Sequence, residues 1–281
     1  MDQAGQGYRH QGRGSVNRLR EAWQCGERPT GTFVFSRDAA VSEVIGQAGF
    51  DFTVIDLEHA PLDLRDVEGH IRAAQLAGIS PLVRVPSTHD TAIAARVLDL
   101  GAHGILFPHF GLDAEAARDA IATLRYAPEG KRPSCTGVRA ADYGLRNFAG
   151  YVKESDTQLL GIGLIEDESA VAGIDKLLAH LRPDAIMPGP GDLATSMGLP
   201  GQPNHPRVRE AVLAAVAGAR RASVRVGLYL NSIEEVAGWA EADADFFVYL
   251  IDLKILAGAM RDAAQRIRSA AGLKRPGVKT T

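Results

Sequence analysis

The stretch FTVIDLEHAPLDLRDVEGHIRAAQLAGISPLVRVP, residues 52–86, decides the fold class of this 281-residue chain. It opens with an apolar strand, Phe52–Asp56, continues through a segment of helical period, Leu64–Ala77, and ends in a second apolar strand, Pro81–Val85. A buried strand, an amphipathic helix and another buried strand in succession indicate parallel strands joined by a crossover helix.

The same alternation extends in both directions from this stretch. The predicted strands are Gly31–Phe35, Phe52–Asp56, Pro81–Val85, Gly104–Pro108, Leu159–Glu166, Asp184–Gly189, Arg225–Leu230 and Asp245–Ile251. The predicted helices between them are Ala40–Ala48, Leu64–Ala77, Thr91–Leu100, Ala114–Leu124, Ser169–Ala179, Pro206–Ala222 and Ile233–Ala240. Eight short strands, with no dinucleotide-binding fingerprint after the first, favour an α/β protein with a closed (β/α)8 TIM barrel over an open sheet.

One barrel domain is expected over residues 15–272, between a mobile N-terminal tail at 1–14 and a polar C-terminal tail at 273–281. A helix over Ser15–Cys25, with Ser15 as its N-cap, is expected to close the bottom of the barrel. The last predicted helix, Leu253–Ala271, is rich in Ala and Arg. The stretch 127–155 has no clean period, and a loop of that length inside a domain is usually functional.

The net charge, the length of the apolar runs and the two cysteines indicate which binding partners and which cellular compartment to expect. The formal net charge of −3 provides neither a basic field for nucleic acid nor a polybasic segment for a membrane surface. No apolar run approaches the ~20 residues that span a bilayer. Cys25 and Cys135 are far apart and form no CxxC pair. We therefore expect a cytoplasmic protein that acts on a small molecule.

Reactive side chains are concentrated where the predicted strands end, which is where a (β/α)8 barrel builds its site. Glu166 and Asp192 follow neighbouring strands, and two carboxylates with open positions suit Mg²⁺ or Mn²⁺. Alternatively, each caps the helix that follows it. The Gly189-Pro190-Gly191 turn offers backbone N–H groups to a carboxylate or phosphate.

Arg84 stands in an otherwise apolar strand. It either neutralises Asp56 or Glu58 as a structural ion pair or stabilises the negative charge of an enolate oxygen. His59 is either a surface residue or a proton shuttle. No lysine stands at a predicted strand end before Lys254, which disfavours a Schiff-base aldolase without excluding it.

Six motifs in this order resemble the HpcH/HpaI family of class II aldolases, which includes 4-hydroxy-2-oxoheptanedioate aldolase and 2-dehydro-3-deoxyglucarate aldolase. The motifs are AGFDFTVIDLEHAP (48–61), PLVRVP (81–86), VLDLGAHGILFP (97–108), RYAPEGKRP with GVRAADYG (125–144), IEDESAVAGID (165–175) and PGPGDLATSMG (188–198). The likeness runs from about Leu19 to Ala259. It implies a metal-dependent lyase that cleaves or forms a 4-hydroxy-2-oxo acid, with pyruvate and an aldehyde as the other partners.

The resemblance also implies a role for each matching residue. Glu166 and Asp192 would bind the divalent ion (Mg²⁺, Mn²⁺ or Co²⁺), Arg84 would contact the 2-oxo oxygen of pyruvate, and His59 would move protons beside Asp56. Asp99 would partner the histidine of a neighbouring subunit, and the turn at Gly189, Pro190, Gly191 and Asp192 would hold the pyruvate carboxylate. Family members are typically hexamers built from dimers that exchange their C-terminal helices, so a homo-oligomer is expected.

The chain departs from the family pattern around the presumed acceptor pocket. Leu164 stands where some members carry Gln, KRPSCTG (131–137) replaces a Gly-rich run, His109 and Phe110 replace small apolar residues, and Leu250-Ile251-Asp252 replaces Gly-Ser-Asp. Two alternatives to a pyruvate aldolase therefore stay open. One uses the same enolate for condensation or decarboxylation of oxaloacetate, as citrate-synthase-like and macrophomate-synthase-like relatives do, and the other is a non-catalytic barrel.

Overall fold

Eight parallel strands close into a barrel in which each strand pairs with its neighbour in sequence. The computed structural model describes residues 16–239 and 242–272. The strands are β1 (Thr30–Val34), β2 (Phe52–Asp56), β3 (Ser80–Arg84), β4 (Gly104–Phe107), β5 (Leu160–Ile165), β6 (Ala185–Pro188), β7 (Arg225–Leu230) and β8 (Phe246–Ile251). Because β8 pairs with β1, the ring is complete, and the predicted (β/α)8 barrel is confirmed.

The helices surround the ring, and the first of them, which precedes β1, closes one end of it. They are α1 (Arg18–Gln24), α2 (Ala40–Gln47), α3 (Leu64–Leu76), α4 (Thr91–Asp99), α5 (Ala114–Ala122), α6 (Phe148–Gln158), α7 (Glu168–Ala172), α8 (Ile174–Leu181), α9 (Pro190–Ser196), α10 (Pro206–Arg221), α11 (Glu235–Gly238) and α12 (Asp252–Ala270). None of the helices within the described ranges combines the length and the apolar character that crossing a bilayer requires.

Alternate strand residues form two apolar layers. One layer fills the inside of the barrel and includes Phe52, Leu82 and Phe246, while the other lies between strands and helices and includes Ile55 and Val83. This period of two explains why the last inward-pointing residues of the strands meet at one mouth. The register places Asp56 of β2 directly beside Arg84 of β3 at that mouth.

The opposite end of the barrel is closed by α1, as predicted. Its N-cap is Asn17, whose side-chain oxygen accepts from Arg20 N at 3.3 Å. The predicted cap, Ser15, lies outside the described residues. The Asn17 amide also donates to His103 O at 3.0 Å and to Gln158 O at 2.9 Å, which ties α1 to the segments just before β4 and β5.

Two predicted helices were wrong in extent. The segment 169–179 does not form one helix, because the chain leaves helical geometry at Gly173 (φ −96°, ψ 7°) between α7 and α8. The helix expected over Ile233–Ala240 is reduced to the four residues of α11, and Ala240 lies outside the described residues. The aperiodic stretch 127–155 contains a 3₁₀ helix, Arg139–Gly144, and the start of α6. The tails predicted at 1–14 and 273–281 also fall outside the described residues.

The last helix, α12, packs mainly against β1 and β8 rather than against the other helices. Its apolar side chains Leu253, Leu256, Met260 and Ile267 are between 49% and 67% exposed. Within the chain, this amphipathic helix therefore leaves much of its apolar face uncovered.

Candidate active site

Arg84 is the centre of a buried charge cluster at the barrel mouth. Its Nε and Nη2 donate to the two carboxylate oxygens of Asp56 at 3.0 and 2.6 Å, and its Nη1 lies 2.9 Å from Glu58 Oε2. The Arg84 side chain is 8% exposed and that of Asp56 is fully buried. Burial acts to lower the pKa of Arg84, but the hydrogen bonds and charge of Asp56 outweigh it and raise the pKa, so the guanidinium stays charged.

Arg84 and Asp56 form the structural ion pair that was one of the two alternatives for Arg84. This pair occupies only some of the N–H donors of the guanidinium. Arginine carries five N–H donors, and two of them are spent on Asp56. The contact with Glu58 is an ion pair without the alignment of a hydrogen bond, so Glu58 Oε2 is a buried acceptor with no hydrogen-bond partner in the part of the chain that the structure describes. Burial raises the pKa of Glu58 above its usual value.

Glu166 directly follows β5 and is buried, with 5% of its surface exposed. Its Oε2 accepts a hydrogen bond from His109 N at 2.9 Å. Burial raises the pKa of Glu166 to about 7, and the charge of Asp192 adds to that effect, while the His109 N–H opposes it. The protein alone therefore compensates the charge of Glu166 poorly.

Gly189 lies against this carboxylate. A Cβ on residue 189 would stand 2.8 Å from Glu166 Cγ and 3.0 Å from Glu166 Oε1, so only glycine fits without displacing the glutamate. Gly189 is also the N-cap residue of α9, with Pro190 at the first helical position. Because proline has no N–H, the free N–H groups of the first turn are those of Gly191 and Asp192.

Neither of the two carboxylates is the N-cap of the helix that follows it. The N-cap of α7 is Asp167, whose side chain makes no capping hydrogen bond, and the N-cap of α9 is Gly189. Asp192 lies in the first turn of α9 and is exposed. The helix that carries Asp192 follows Gly189, which lies against Glu166, and the charge of Asp192 raises the pKa of Glu166, so both predicted ligands stand at the same mouth.

This pair fits a hard divalent cation. Two neighbouring carboxylates, one of them buried with a raised pKa, both gain from a positive ion. No group of three or more His, Cys, Asp or Glu side chains within residues 16–239 and 242–272 is arranged to hold a metal. Two protein carboxylates would leave the other positions to water and substrate oxygens, which is the usual way in which Mg²⁺ is bound.

Two histidines lie at the same mouth. His59 is 57% exposed, and its Nε2 lies 3.8 Å from Glu58 Oε2. His109 adopts φ +47°, the left-handed region, which directs its backbone N–H towards Glu166 while its Nδ1 lies 3.0 Å from Asp167 Oδ2. Burial acts to lower the pKa of His109, but the Asp167 hydrogen bond and the neighbouring carboxylate charges outweigh it and raise the pKa.

The comparison with known proteins agrees with this geometry. Residues 29–258 match the model of the HpcH/HpaI aldolase/citrate lyase family. The chain belongs to this family. It is therefore an enzyme of the carbon–carbon lyase type, in a family of class II aldolases.

Individual relatives are similar over most of their length. A hydroxypyruvate/pyruvate aldolase of Paraburkholderia phytofirmans is 34% identical over 236 residues, covering 82% of this chain and 89% of the relative. A 2-dehydro-3,6-dideoxy-6-sulfogluconate aldolase of Pseudomonas putida is 32% identical over 228 residues, covering 81% and 88%.

Solved structures agree in fold. The crystal structure of an HpcH/HpaI aldolase from Desulfitobacterium hafniense superposes with a TM-score of 0.84 at 28% identity, covering 95% of this chain and 100% of that one. The citrate synthase SbnG superposes with a TM-score of 0.81 at 27% identity, covering 90% and 98%.

Asp99 is the one family-derived site residue that the structure does not bring to this mouth. It ends α4, after that helix has carried the chain back towards the start of β4 at the opposite end of the barrel. There its carboxylate accepts from Arg132 Nη2 at 3.0 Å, and 28% of the Asp99 side chain is exposed. Within one chain, Asp99 therefore does not meet His59.

Three residues at the mouth were not among the candidates predicted from sequence: Glu58, His109 and Tyr229, the last of which packs on the interior cluster next to the end of β7. Glu58 was considered only as a counter-ion, although it follows the second strand directly. Tyr229 could have been found from the alternation of side chains along β7. It lies two residues after Gly227, which faces the barrel interior, so it points inward as well. His109 had no sequence signal for its role, since that role depends on a left-handed backbone conformation.

Proposed function

We propose that this protein is a divalent-metal-dependent aldolase that cleaves a 4-hydroxy-2-oxo acid to pyruvate and an aldehyde, or forms it from them, through an enolate. The observation that carries the proposal is the placement of buried Glu166 against the Gly189 turn that leads to Asp192, at the mouth that also holds Arg84. Free, exposed Cys25 and Cys135 suit the reducing cytoplasm in which we place the enzyme.

Substrate binding would use groups that the chain leaves available. The N–H groups of Gly191 and Asp192 would receive the carboxylate of the 2-oxo acid, next to the Gly189-Pro190 turn. The remaining N–H groups of Arg84 would point at the 2-oxo oxygen, since Asp56 holds the guanidinium in one orientation. Fixed donors of this kind stabilise charge that develops in the transition state.

A divalent ion held by Glu166 and Asp192 would polarise the 2-oxo group and supply positive charge against the enolate oxygen. During cleavage the C3–C4 bond breaks, its electron pair stays on C3 as the enolate, and the C4 oxygen loses its proton as the carbonyl forms. His59 would move that proton, because its imidazole is exposed at the mouth and stands beside Glu58. Protonation of the enolate at C3 then yields pyruvate.

Exchange of the pyruvate methyl protons in D2O, followed by NMR with and without EDTA, tests the proposal. We expect exchange in the presence of Mg²⁺ or Mn²⁺, none in EDTA, and none in Glu166→Gln or Asp192→Asn. Glu43→Gln, an identical change on the exposed face of α2, is the matched control and should exchange like the wild type. Metal-independent exchange, or full exchange in both site variants, would remove the metal assignment.

A second fate for the enolate is favoured by the fold match to the citrate synthase SbnG and by the altered rim at His109 and Leu250. Leu250 adopts φ +51° where the family pattern carries glycine, so the end of β8 differs in chemistry from that pattern. In this alternative the enzyme consumes oxaloacetate by condensation or decarboxylation. Loss of oxaloacetate without any aldehyde, combined with no cleavage of 4-hydroxy-2-oxo acids, would favour it.

We also propose that the enzyme is a homo-oligomer, a hexamer by family resemblance, in which α12 is exchanged between subunits. The uncovered apolar face of α12 supports this, and an assembly could bring Asp99 to the histidine of a neighbouring subunit. Light scattering on Leu256→Arg/Met260→Arg should show smaller species than the wild type. Leu145→Arg, which places an arginine on an exposed apolar residue outside α12, is the control.

A further inference from the structure

Tyr229 is an inward-pointing residue of β7. Two residues earlier, a Cβ on Gly227 would stand 2.1 Å from Phe246 Cζ in the barrel interior, which fixes the inward parity of this strand. The Tyr229 ring packs against the same interior cluster. Since β7 ends at Leu230, the ring belongs to the last interior layer before the mouth.

Phe33 connects Tyr229 to the charge cluster. The ring centroids of Phe33 and Tyr229 are 6.2 Å apart, and the Arg84 guanidinium carbon lies 4.8 Å from the Phe33 centroid. Arg84 and Tyr229 therefore both rest on one aromatic ring, in the same layer of the barrel. In the proposed binding mode Arg84 faces the 2-oxo oxygen, and the Tyr229 phenol at the same mouth would face atoms further along the substrate.

The Tyr229 hydroxyl has no hydrogen-bond partner within residues 16–239 and 242–272, although the ring is half-buried. The neighbouring polar groups at the mouth do have hydrogen-bond partners within the protein. Arg84 is bonded to Asp56, and Glu166 is bonded to the backbone N–H of His109. Burial raises the pKa of Tyr229 above its usual value, so the phenol keeps its proton and can donate it in a hydrogen bond. The hydroxyl is not among the fully buried unpaired atoms of the described residues, so it is open to the mouth and available to a ligand.

We infer that Tyr229 is a specificity-determining residue whose hydroxyl hydrogen-bonds an oxygen substituent of the acceptor, so that the enzyme prefers 2-hydroxyaldehydes to unsubstituted aldehydes. This inference rests on the proposed aldolase function. A site built to bond a substrate hydroxyl discriminates against the analogue that lacks it, because the protein group is then left unpaired. No proton is transferred from Tyr229 in this role.

The test is Tyr229→Phe, which removes the hydroxyl and keeps the ring contact with Phe33. Glycolaldehyde and propanal, which differ by a hydroxyl in place of a methyl group, are the paired acceptors with pyruvate. We expect the wild type to favour glycolaldehyde and Tyr229→Phe to lose roughly 10-fold in kcat/KM for it. The kcat/KM for propanal should change less than about 3-fold.

Tyr249→Phe on β8, a half-exposed tyrosine of the opposite parity, is the matched control and should leave both acceptors unchanged. An equal loss for both aldehydes would overturn the inference, because the hydroxyl would then act on the carbonyl oxygen that both share. No loss for either would return Tyr229 to a packing role. Pyruvate proton exchange needs no acceptor, so its absence in the wild type identifies failure of the proposed function instead.

Discussion

Gly189 stands so close to Glu166 that any side chain on residue 189 would collide with the glutamate, at 2.8 Å from its Cγ. The backbone of Gly189, at φ −100°, is open to every residue type, so the demand for glycine comes from this contact and not from conformation. Glu166 is buried and cannot swing aside freely.

Gly189→Ala should therefore displace the Glu166 carboxylate while leaving the barrel folded. Misplacing a catalytic group by about 1 Å costs on the order of 100-fold in rate, and we expect that loss in metal-dependent pyruvate proton exchange. Gly137→Ala, where a Cβ would meet nothing within 4 Å, is the matched control. Wild-type exchange rates in Gly189→Ala would show that Glu166 tolerates displacement.

Arg84 should contribute to stability as well as to turnover. Arg84→Met leaves the carboxylates of Asp56 and Glu58 buried without a counter-charge, and we expect the unfolding free energy to fall by about 3–5 kcal/mol. Adding Asp56→Asn should recover part of that loss without restoring activity. Urea unfolding measures both effects.

Arg72→Met is the control for this series, because Arg72 pairs with Glu68 on the exposed face of α3. Exposed pairs contribute at most about 1 kcal/mol. If Arg84→Met were no more destabilising than Arg72→Met, the buried cluster would have no structural role, and any loss of activity would be purely catalytic.

Binding of the divalent ion should be visible in stability, independently of turnover. A ligand that binds only the folded state stabilises it by about 2.7 kcal/mol at 100 times its Kd. Mg²⁺ should therefore raise the thermal midpoint of the wild type in calorimetry, and should fail to do so in Glu166→Gln. An equal shift in Glu43→Gln and Glu166→Gln would place the ion elsewhere.

His103 should make the fold sensitive to acid. Burial, with a smaller contribution from Arg139, lowers the pKa of His103 from 6.5 to about 4. Between those values the unfolded chain binds a proton that the folded chain does not. The stability contribution is therefore complete above pH 6.5 and is lost as the pH falls, by roughly 3 kcal/mol at pH 4.

Urea unfolding between pH 7 and pH 5 measures this dependence. His103→Asn should flatten the decline in unfolding free energy with falling pH, whereas His180→Asn on the exposed face of α8 should keep the wild-type slope. The same slope in all three proteins would mean that groups other than His103, such as buried His70, cause the acid sensitivity.

The strands were predictable because each is a short apolar run between polar segments. The bounds Phe52–Asp56 and Arg225–Leu230 agree with the structure residue for residue. The helix break at Gly173 was not predictable from period, since the apolar residues on both sides continue one helical pattern. The period of apolar residues indicates which face of a helix is buried. It does not indicate whether the helix axis is continuous.

Proximity at the mouth was predictable for Glu166, Asp192 and Arg84 because parallel strands end at the same side of a barrel. The environment of each group was not. The His109 N–H reaches Glu166 only because residue 109 is left-handed, and Arg84 lies between two carboxylates whose rotamers no pattern reveals. Parity along β7 would have identified Tyr229, had inward positions been followed to the mouth on every strand.

Asp252, at the start of α12, accepts hydrogen bonds from the backbone N–H groups of Phe35 and Ser36, each at 3.0 Å. Phe35 and Ser36 precede Asp252 by 217 and 216 residues in the sequence. During synthesis on the ribosome, the N–H groups of the loop after β1 therefore have no such acceptor until nearly the whole chain has been made. Although β1 is synthesised first, the loop after it gains these hydrogen bonds last. The mouth of the barrel is therefore complete only when β8 and the start of α12 have packed beside β1.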